Sequence, residues 1–441
     1  MLIRKPVTFA PRRSPAGRPL RRPTSLLLIL AAACGVSAHP ARAAGQPVEQ
    51  GRVTFDADVR PDPDNGTIDA SWRLDIVVDE RAAASGLSFL LNRGLTIERL
   101  VGSAVRGHRS EPFQMPVWNL ITVTLAPGTA PGDTVAIELA YAGRPELPPT
   151  GINAISPARV ELNVDSGWHP VIATFDQELT GTLRLRLPAE WEVVSSGSSA
   201  LEDGAHAIRY EVPQLDVAFY AAPRLERTAA VQFVAYHAGA PAKTVDALLD
   251  AAESCATYLN GRYGSRQPLP TGHLVLADRT EHLYARKNYL VLSRADDSGP
   301  VALHRFLCHE LAHFWTAVAN PFGPDHWLLE AFAEYVAARY VRQRFGSDAF
   351  AEMVAGWERQ AGGQPPVWTP ASTQRGSDLV MYRKAPWLLS RLEERIGTPA
   401  FDELLTHYMV EDVRTTRQLL ARLAEIAGPE TEAWFREELG R

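Results

Sequence analysis

Apolar and polar residues alternate along much of the chain between about positions 50 and 225. "WRLDIVVD" (72–79), "LITVTLAP" (120–127), "TVAIELAY" (134–141) and "TLRLRLP" (182–188) all repeat with a period of two. A strand sends successive side chains to opposite faces, so such a segment buries one face and wets the other. Glycine, proline, aspartate and asparagine punctuate these runs. The proline-rich "RPELPPTG" (144–151) predicts a loop, and "SSGSSALEDG" (195–204) a hairpin or loop. No long amphipathic helix interrupts the pattern. The expectation is an antiparallel β-sandwich domain over residues 45–225.

After Pro223 the texture changes. Three short strands are expected in "VQFVAYH" (231–237), "HLVLA" (273–277) and "NYLVLS" (288–293). A helix from about Lys243 to Tyr263 separates the first two, and "NYLVLS" is a candidate to pair with an extended substrate. Beyond Gly299 the apolar period is helical, broken at "NPFGP" (320–324), "GGQPP" (362–366), "GTP" (397–399) and "AGPE" (427–430). One helix starts at Pro300, and another follows Asp325 as N-cap and stops at Gly346. Residues 226–441 are therefore expected to form an α+β domain that ends in helices.

The N-terminus adds a compartment. Residues 1–44 carry eight basic residues, and no acid precedes Glu49. "SLLLILAAACGVSA" (25–38) is too short and too rich in small residues for a membrane span. With "ARAAGQ" after it, the segment predicts a secretory signal peptide over 1–44 and an exported protein, periplasmic or secreted. An uncleaved signal anchor is the alternative, and "AAACG" also permits a lipid anchor at Cys34. Removing the eight basic residues takes the formal charge from −6 to −14. So acidic a chain lacks the basic face that nucleic-acid binding needs. Only Cys255 and Cys308 remain after cleavage, too few for a disulfide framework, and two buried free thiols are expected.

The chemistry centres on "CHELAHFW" (308–315). His309 and His313 are four apart, so a helix puts both imidazoles on one face, within reach of one zinc ion. Glu310 is offset around the helix and can act as general base on a water there. The five residues alone also fit an ordinary buried helix. In "HWLLEAFAEYVAARYVRQRFG" (326–346), Glu330 and Glu334 lie one turn apart among apolar residues. Carboxylates so placed are costly unless paired, metal-bound or at a wet helix edge.

"HELAHFW" followed by "WLLEAFAEY" resembles the aminopeptidase N family of gluzincin zinc metallopeptidases, which have a thermolysin-like catalytic domain. The resemblance implies one zinc per chain held by His309, His313 and Glu330, with Glu310 as catalytic base and peptides or proteins as substrates. Sixteen residues separate His313 from Glu330, against eighteen in the family pattern. It implies that Glu334 orients His309, and that Tyr382 of "MYRKAPWLLSRLEERIG" (381–397) donates to the oxyanion. "LSFLLNRGLTIERLVG" (87–102) and "GWHPVIATFDQELTGTLRLRLPAEWEVVSSG" (167–197) are similar to the family's N-terminal β domain. The match implies a short form, without the C-terminal helical solenoid of many members.

One family feature departs. Members bind the substrate's free ammonium with the glutamate of G-x-M-E-N. The matching "YARKN" (284–288) keeps Asn288 but has Lys287 where the glutamate belongs. Lys287 and Asn288 are thus candidate substrate-binding residues, with Lys287 disfavouring a free N-terminus. A solvated loop lysine, with Glu281 taking the ammonium, is the plain alternative. The function expected is an exported zinc metallopeptidase. The rivals are a non-hydrolytic binding protein on a peptidase scaffold and another zinc hydrolase, such as an epoxide hydrolase.

Overall fold

The computed structural model describes residues 53–441 apart from 115, 176, 280–282, 294–298, 317–319 and 412. The expected leader, Cys34 and Glu281 lie outside the described residues. All four period-two segments form strands. Val53–Asp62, Thr67–Val77, Thr134–Gly143 and Leu179–Leu185 sit inside a seven-stranded sheet whose edges are Leu95–Val101 and Ser198–Glu202. Leu87–Asn92, Trp118–Leu125, Val105–Pro112 and Val171–Ile172 form a second sheet. Trp72, Leu74 and Ile76 of the first meet Phe89, Leu91, Ile121 and Val123 of the second in one core, so this is a sandwich. One pairing within it is parallel: Val53–Asp62 runs alongside Leu179–Leu185. The whole second sheet lies between those two strands in the chain, which supplies the long crossover that parallel pairing needs. A short helix, α1 (Glu80–Ser85), is capped by Asp79.

A third sheet, with Glu192–Ser195, Phe219–Ala222, Arg159–Leu162 and Ala154–Ser156, is buried on both sides. Phe219 and Ala221 face the sandwich core, whereas Ala218, Tyr220 and Ala222 face Val234, Tyr236, Val275 and Tyr289 of the next sheet. That next sheet has five strands in the order Glu226–Ala229, Phe233–His237, Gly272–Leu276, Tyr289–Leu292, Tyr284–Arg286. Helix α2 (Ala242–Tyr263) makes the crossover between the parallel strands Phe233–His237 and Gly272–Leu276. The opposite face of the sheet, with Phe233, Ala235, Leu274 and Leu290, packs on the helices that follow.

Those helices are α3 (Pro300–Ala312), α4 (His326–Phe345), α5 (Ser347–Ala361), α6 (Ala385–Ile396), α7 (Thr398–Val410), α8 (Thr416–Ala427) and α9 (Pro429–Leu439). The ends of α4, α5, α6 and α8 fall at the expected breaks, but α3 already stops at Ala312, ahead of "NPFGP", and the break between α7 and α8 is not among those expected. The buried face of α4 is tied to α6 by Tyr335, whose hydroxyl donates to Glu393 at 2.5 Å, and by Arg342, at 3.1 Å from the same carboxylate. None of the described helices is long and apolar enough to cross a membrane.

Three expectations are corrected. Tyr289–Leu292 is flanked on both sides by strands, so its backbone has no free edge for a substrate; the edge strand is Tyr284–Arg286. Asp325 precedes α4 but does not cap it. Its carboxylate instead accepts from the backbone and hydroxyl of Thr416 at 2.8 and 2.6 Å, at the start of α8. Cys255 of α2 and Cys308 of α3 form a disulfide. The packing of α2 on α3 brings their Cα atoms to 5.3 Å, well inside bridging range, a proximity that sequence spacing does not display.

Candidate metal centre

Helix α3 packs along α4, and the two helices face their polar residues toward each other. His309 sits in the last turn of α3, and His313 follows at its C-terminus. Their Nε2 atoms are 3.2 Å apart. Glu330 Oε2, from the second turn of α4, lies 3.4 Å from His309 Nε2 and 3.6 Å from His313 Nε2. Tetrahedral ligands about 2.0–2.1 Å from a zinc ion are separated by about 3.3–3.4 Å. The triangle therefore fits a single zinc ion, and two imidazoles with one carboxylate are a common catalytic donor set. Among the described residues this is the cluster able to hold a metal.

Partners behind the triangle fix its orientation. Glu334, one turn after Glu330, places Oε2 3.3 Å from His309 Nδ1. Arg305 of α3 bonds the other oxygen of Glu334, and Arg383 stands 3.7 Å from it. Burial raises the carboxyl pKa, but His309 and Arg305 outweigh it and hold Glu334 down to about 2. Glu330 is likewise held well below the usual range against burial, by His309 and His326. His326 Nε2 lies 3.4 Å from Glu330 Oε1, the oxygen that does not face the other histidines. Sequence reasoning missed His326 and Arg305. Each stands one helical turn before a residue of the triangle, in "HWLLE" and "RFLCH", and that spacing was the available signal.

Glu310 and Tyr382 flank the triangle. Burial pushes the Glu310 carboxyl up to about 7, with His309 opposing and Glu330 adding to the rise. Tyr382 lies in a π-helical turn, Val380–Lys384, just before α6, and its ring centre is 5.8 Å from that of His309. Such turns re-aim a side chain within a helix and recur at functional sites. Burial and the nearby Glu330 carboxylate raise the Tyr382 hydroxyl well above its ordinary value, so it stays a donor. Lys384, the lysine that follows, is drawn away from the centre: its ammonium donates to the carbonyls of Gln364, Pro365 and Arg441 at 2.8–3.0 Å.

Lys287 and Asn288 form the turn between Tyr284–Arg286 and Tyr289–Leu292. Lys287 adopts φ 55°, a left-handed backbone that a lysine rarely takes without a constraint. Its side chain is only 15% exposed, and Nζ stands 3.5 Å from Glu178 of the β-sandwich. The ammonium is near enough to help depress His313, which burial pushes down to about 3. It is not a freely solvated loop lysine. Asn288 is buried and donates to the Thr271 carbonyl at 2.6 Å, holding the turn to its neighbouring strand. Arg286, on the edge strand, ion-pairs with buried Asp216 at 2.5 Å and opposes the rise of Glu310.

No family sequence model matches the chain. Solved structures do. A two-domain M1 zinc metallopeptidase, a glutamate-to-alanine mutant bound to L-tryptophan, aligns at 19% identity and TM-score 0.67, over 89% of this chain and 95% of that one. The M1 zinc metallopeptidase from Deinococcus radiodurans aligns at 18% identity and TM-score 0.64, over 88% and 93%. The native leukotriene A4 hydrolase from Saccharomyces cerevisiae aligns at 13% identity and TM-score 0.68, over 90% and 69%. The chain thus has the fold of the M1 zinc metallopeptidases, a β-rich N-terminal region followed by an α+β part that ends in helices.

Proposed function

We propose that this M1-type fold houses an exported zinc-dependent peptidase, with one zinc per chain held by His309, His313 and Glu330. The observation that carries the reading is the triangle of ligand atoms, with edges of 3.2, 3.4 and 3.6 Å, flanked by Glu310 and Tyr382. Bound there, zinc supplies a Lewis acid for the scissile carbonyl and lowers the pKa of a water. Glu310 takes the water's proton as attack proceeds and hands a proton to the leaving amine. Tyr382, which stays protonated, donates to the oxyanion as charge develops. Glu334 Oε2, 3.3 Å from His309 Nδ1, is placed to hold the proton on that nitrogen, which would leave Nε2 for the metal. His326 steadies Glu330 in the same manner.

A structural neighbour bound to a Tyr-Ser-Ala substrate supports a peptide as substrate here. The Cys255–Cys308 disulfide agrees with an oxidising compartment and so with export of a chain processed near residue 44. Residues 45–225 serve as the β domain and 226–441 as the catalytic domain. Lys287, in place of a carboxylate, removes the selection for a free N-terminus.

Peptide hydrolysis by purified protein, with metal analysis, tests the reading. Hydrolysis should disappear with a chelator and return with zinc, and Glu310→Gln should keep the metal but lose turnover. Undiminished zinc in both His309→Ala and Glu330→Ala, or full activity in Glu310→Gln, overturns it. A zinc-loaded protein that binds peptides without cutting them favours the binding-protein alternative. Hydrolysis of epoxides in place of peptides favours the other hydrolase.

A further inference from the structure

Beside the ligand triangle opens a cavity of about 350 Å³. His309, Glu310 and Tyr382 line one part of it, and Arg305, Phe306, Leu379 and Arg383 another. One carboxylate, Glu334, faces the guanidinium groups of both Arg305 and Arg383, and its second oxygen is already engaged by His309. Asp378, also on the wall, is matched by Arg375 at 2.9 Å. Arg305 and Arg383 therefore share a single carboxylate oxygen beside the ligand triangle. Arg305 Nε is buried with no hydrogen-bond partner in the protein. The two arginine side chains are 32% and 30% exposed, so they are neither sealed in nor spread over the surface. A guanidinium held at such a wall offers a planar fork to an incoming carboxylate. Phe306 and Leu379 add an apolar flank, and Leu379 is exposed.

Glu310 fixes which part of a substrate enters. The group that returns a proton to the leaving amine must stand beside that amine, so the residue released as an amine lies against the wall that Glu310 shares. We propose that Arg305 and Arg383 bind a substrate carboxylate on the leaving-group side of the scissile bond. This inference rests on the peptidase reading and adds a preference for anionic leaving groups. The carboxylate has two possible sources. It is either the C-terminal carboxylate of a single released residue, or the side chain of an aspartate or glutamate that follows the cut bond.

The test is binding without turnover, with zinc-loaded Glu310→Gln protein and calorimetry. One pair of ligands is a short peptide with a free C-terminal carboxylate and its amide. The other pair carries Asp or Asn after the bond, with amidated ends. At least one charged ligand should bind roughly ten- to a hundredfold tighter than its neutral partner, the range for a charge-assisted contact. The arm that discriminates identifies the source. Adding Arg383→Gln should abolish the difference while zinc stays at one per chain. Arg383→Lys, which keeps the charge without the fork, should retain an intermediate preference. Equal affinities within both pairs, or a preference that survives Arg383→Gln, overturn the inference alone. Failure of zinc-loaded protein to bind any of the four peptides overturns it together with the peptidase reading.

Discussion

Glu334 Oε2 stands 3.3 Å from His309 Nδ1, on the edge of the imidazole opposite the one that faces Glu330. A proton held on Nδ1 by this carboxylate would leave Nε2 free to bind a metal, and Arg305 and Arg383 face the carboxylate's other oxygen. Loss of such a supporting partner typically weakens a metal site by 10- to 100-fold. Glu334→Gln should therefore lower zinc affinity by about that factor, with His309, His313 and Glu330 intact. Competition against a chromophoric chelator measures it. Wild-type affinity in the variant would mean that His309 takes its orientation from elsewhere.

Tyr382 lies in the π-helical turn Val380–Lys384, with its ring 5.8 Å from that of His309. Tyr382→Phe keeps the ring against His309 and deletes only the hydroxyl. Turnover should fall by about 10²-fold, typical of one oxyanion donor, with zinc content and melting temperature unchanged. A variant as active as the parent removes Tyr382 from the mechanism.

The Cys255–Cys308 bridge joins the crossover helix α2 to α3, which carries His309, and closes a separation of 53 residues. In the chain-entropy account a loop of that size contributes about 4 kcal/mol, and measured losses run to about 2–5 kcal/mol. The double variant Cys255→Ala, Cys308→Ala should melt several degrees lower. Cys308 directly precedes His309, so zinc content is the second readout. An unchanged melting temperature in oxidised samples would show that the bridge adds nothing to stability.

Glu393 sets an acid limit on the helical core. Burial raises its pKa, but Tyr335, Arg339 and Arg342 outweigh burial and hold it below the ordinary value of 4.5. A carboxyl depressed on folding contributes stability that is fully present above its unfolded pKa and is lost as pH falls through the folded one. Between about pH 5 and 3 the wild type should lose melting temperature more steeply than Glu393→Gln, which has no such proton to take up. Parallel profiles would show that this cluster does not couple α4 to α6 electrostatically.

Much of this was legible in the sequence because periodicity and helix spacing are local. "TVAIELAY" and "HELAH" carry their faces in their own residues, and Gly346, Gly397 and Gly428 mark helix ends that the structure keeps. What stayed hidden was tertiary. Cys255 and Cys308 gain their pairing only when α2 lies on α3. Asp325 looks like a cap for α4 until Thr416, distant in sequence, arrives to take its carboxylate. "NYLVLS" has the pattern of any buried strand, and nothing in it says that both edges are taken. His326 and Arg305 matter through what stands across from them on the neighbouring helix or one turn further along.

Lys287 carries the last prediction. Its left-handed backbone holds the side chain in a turn at the edge of the sheet, its ammonium faces Glu178 at 3.5 Å, and its charge bears on His313. A substrate that approaches this turn with a free α-ammonium meets a like charge. An acetylated N-terminus brings no such charge. Acetylated peptides should therefore be cut at least as well as the same peptides with free amines. Lys287→Glu places a carboxylate beside that of Glu178, and two carboxylates together favour a cation. The ratio of kcat/KM for free over acetylated peptide should rise by roughly ten- to a hundredfold in that variant, the range for a charge-assisted contact. A strong preference for the free amine in the wild type, unmoved by Lys287→Glu, would place ammonium recognition on another acid and remove Lys287 from substrate selection.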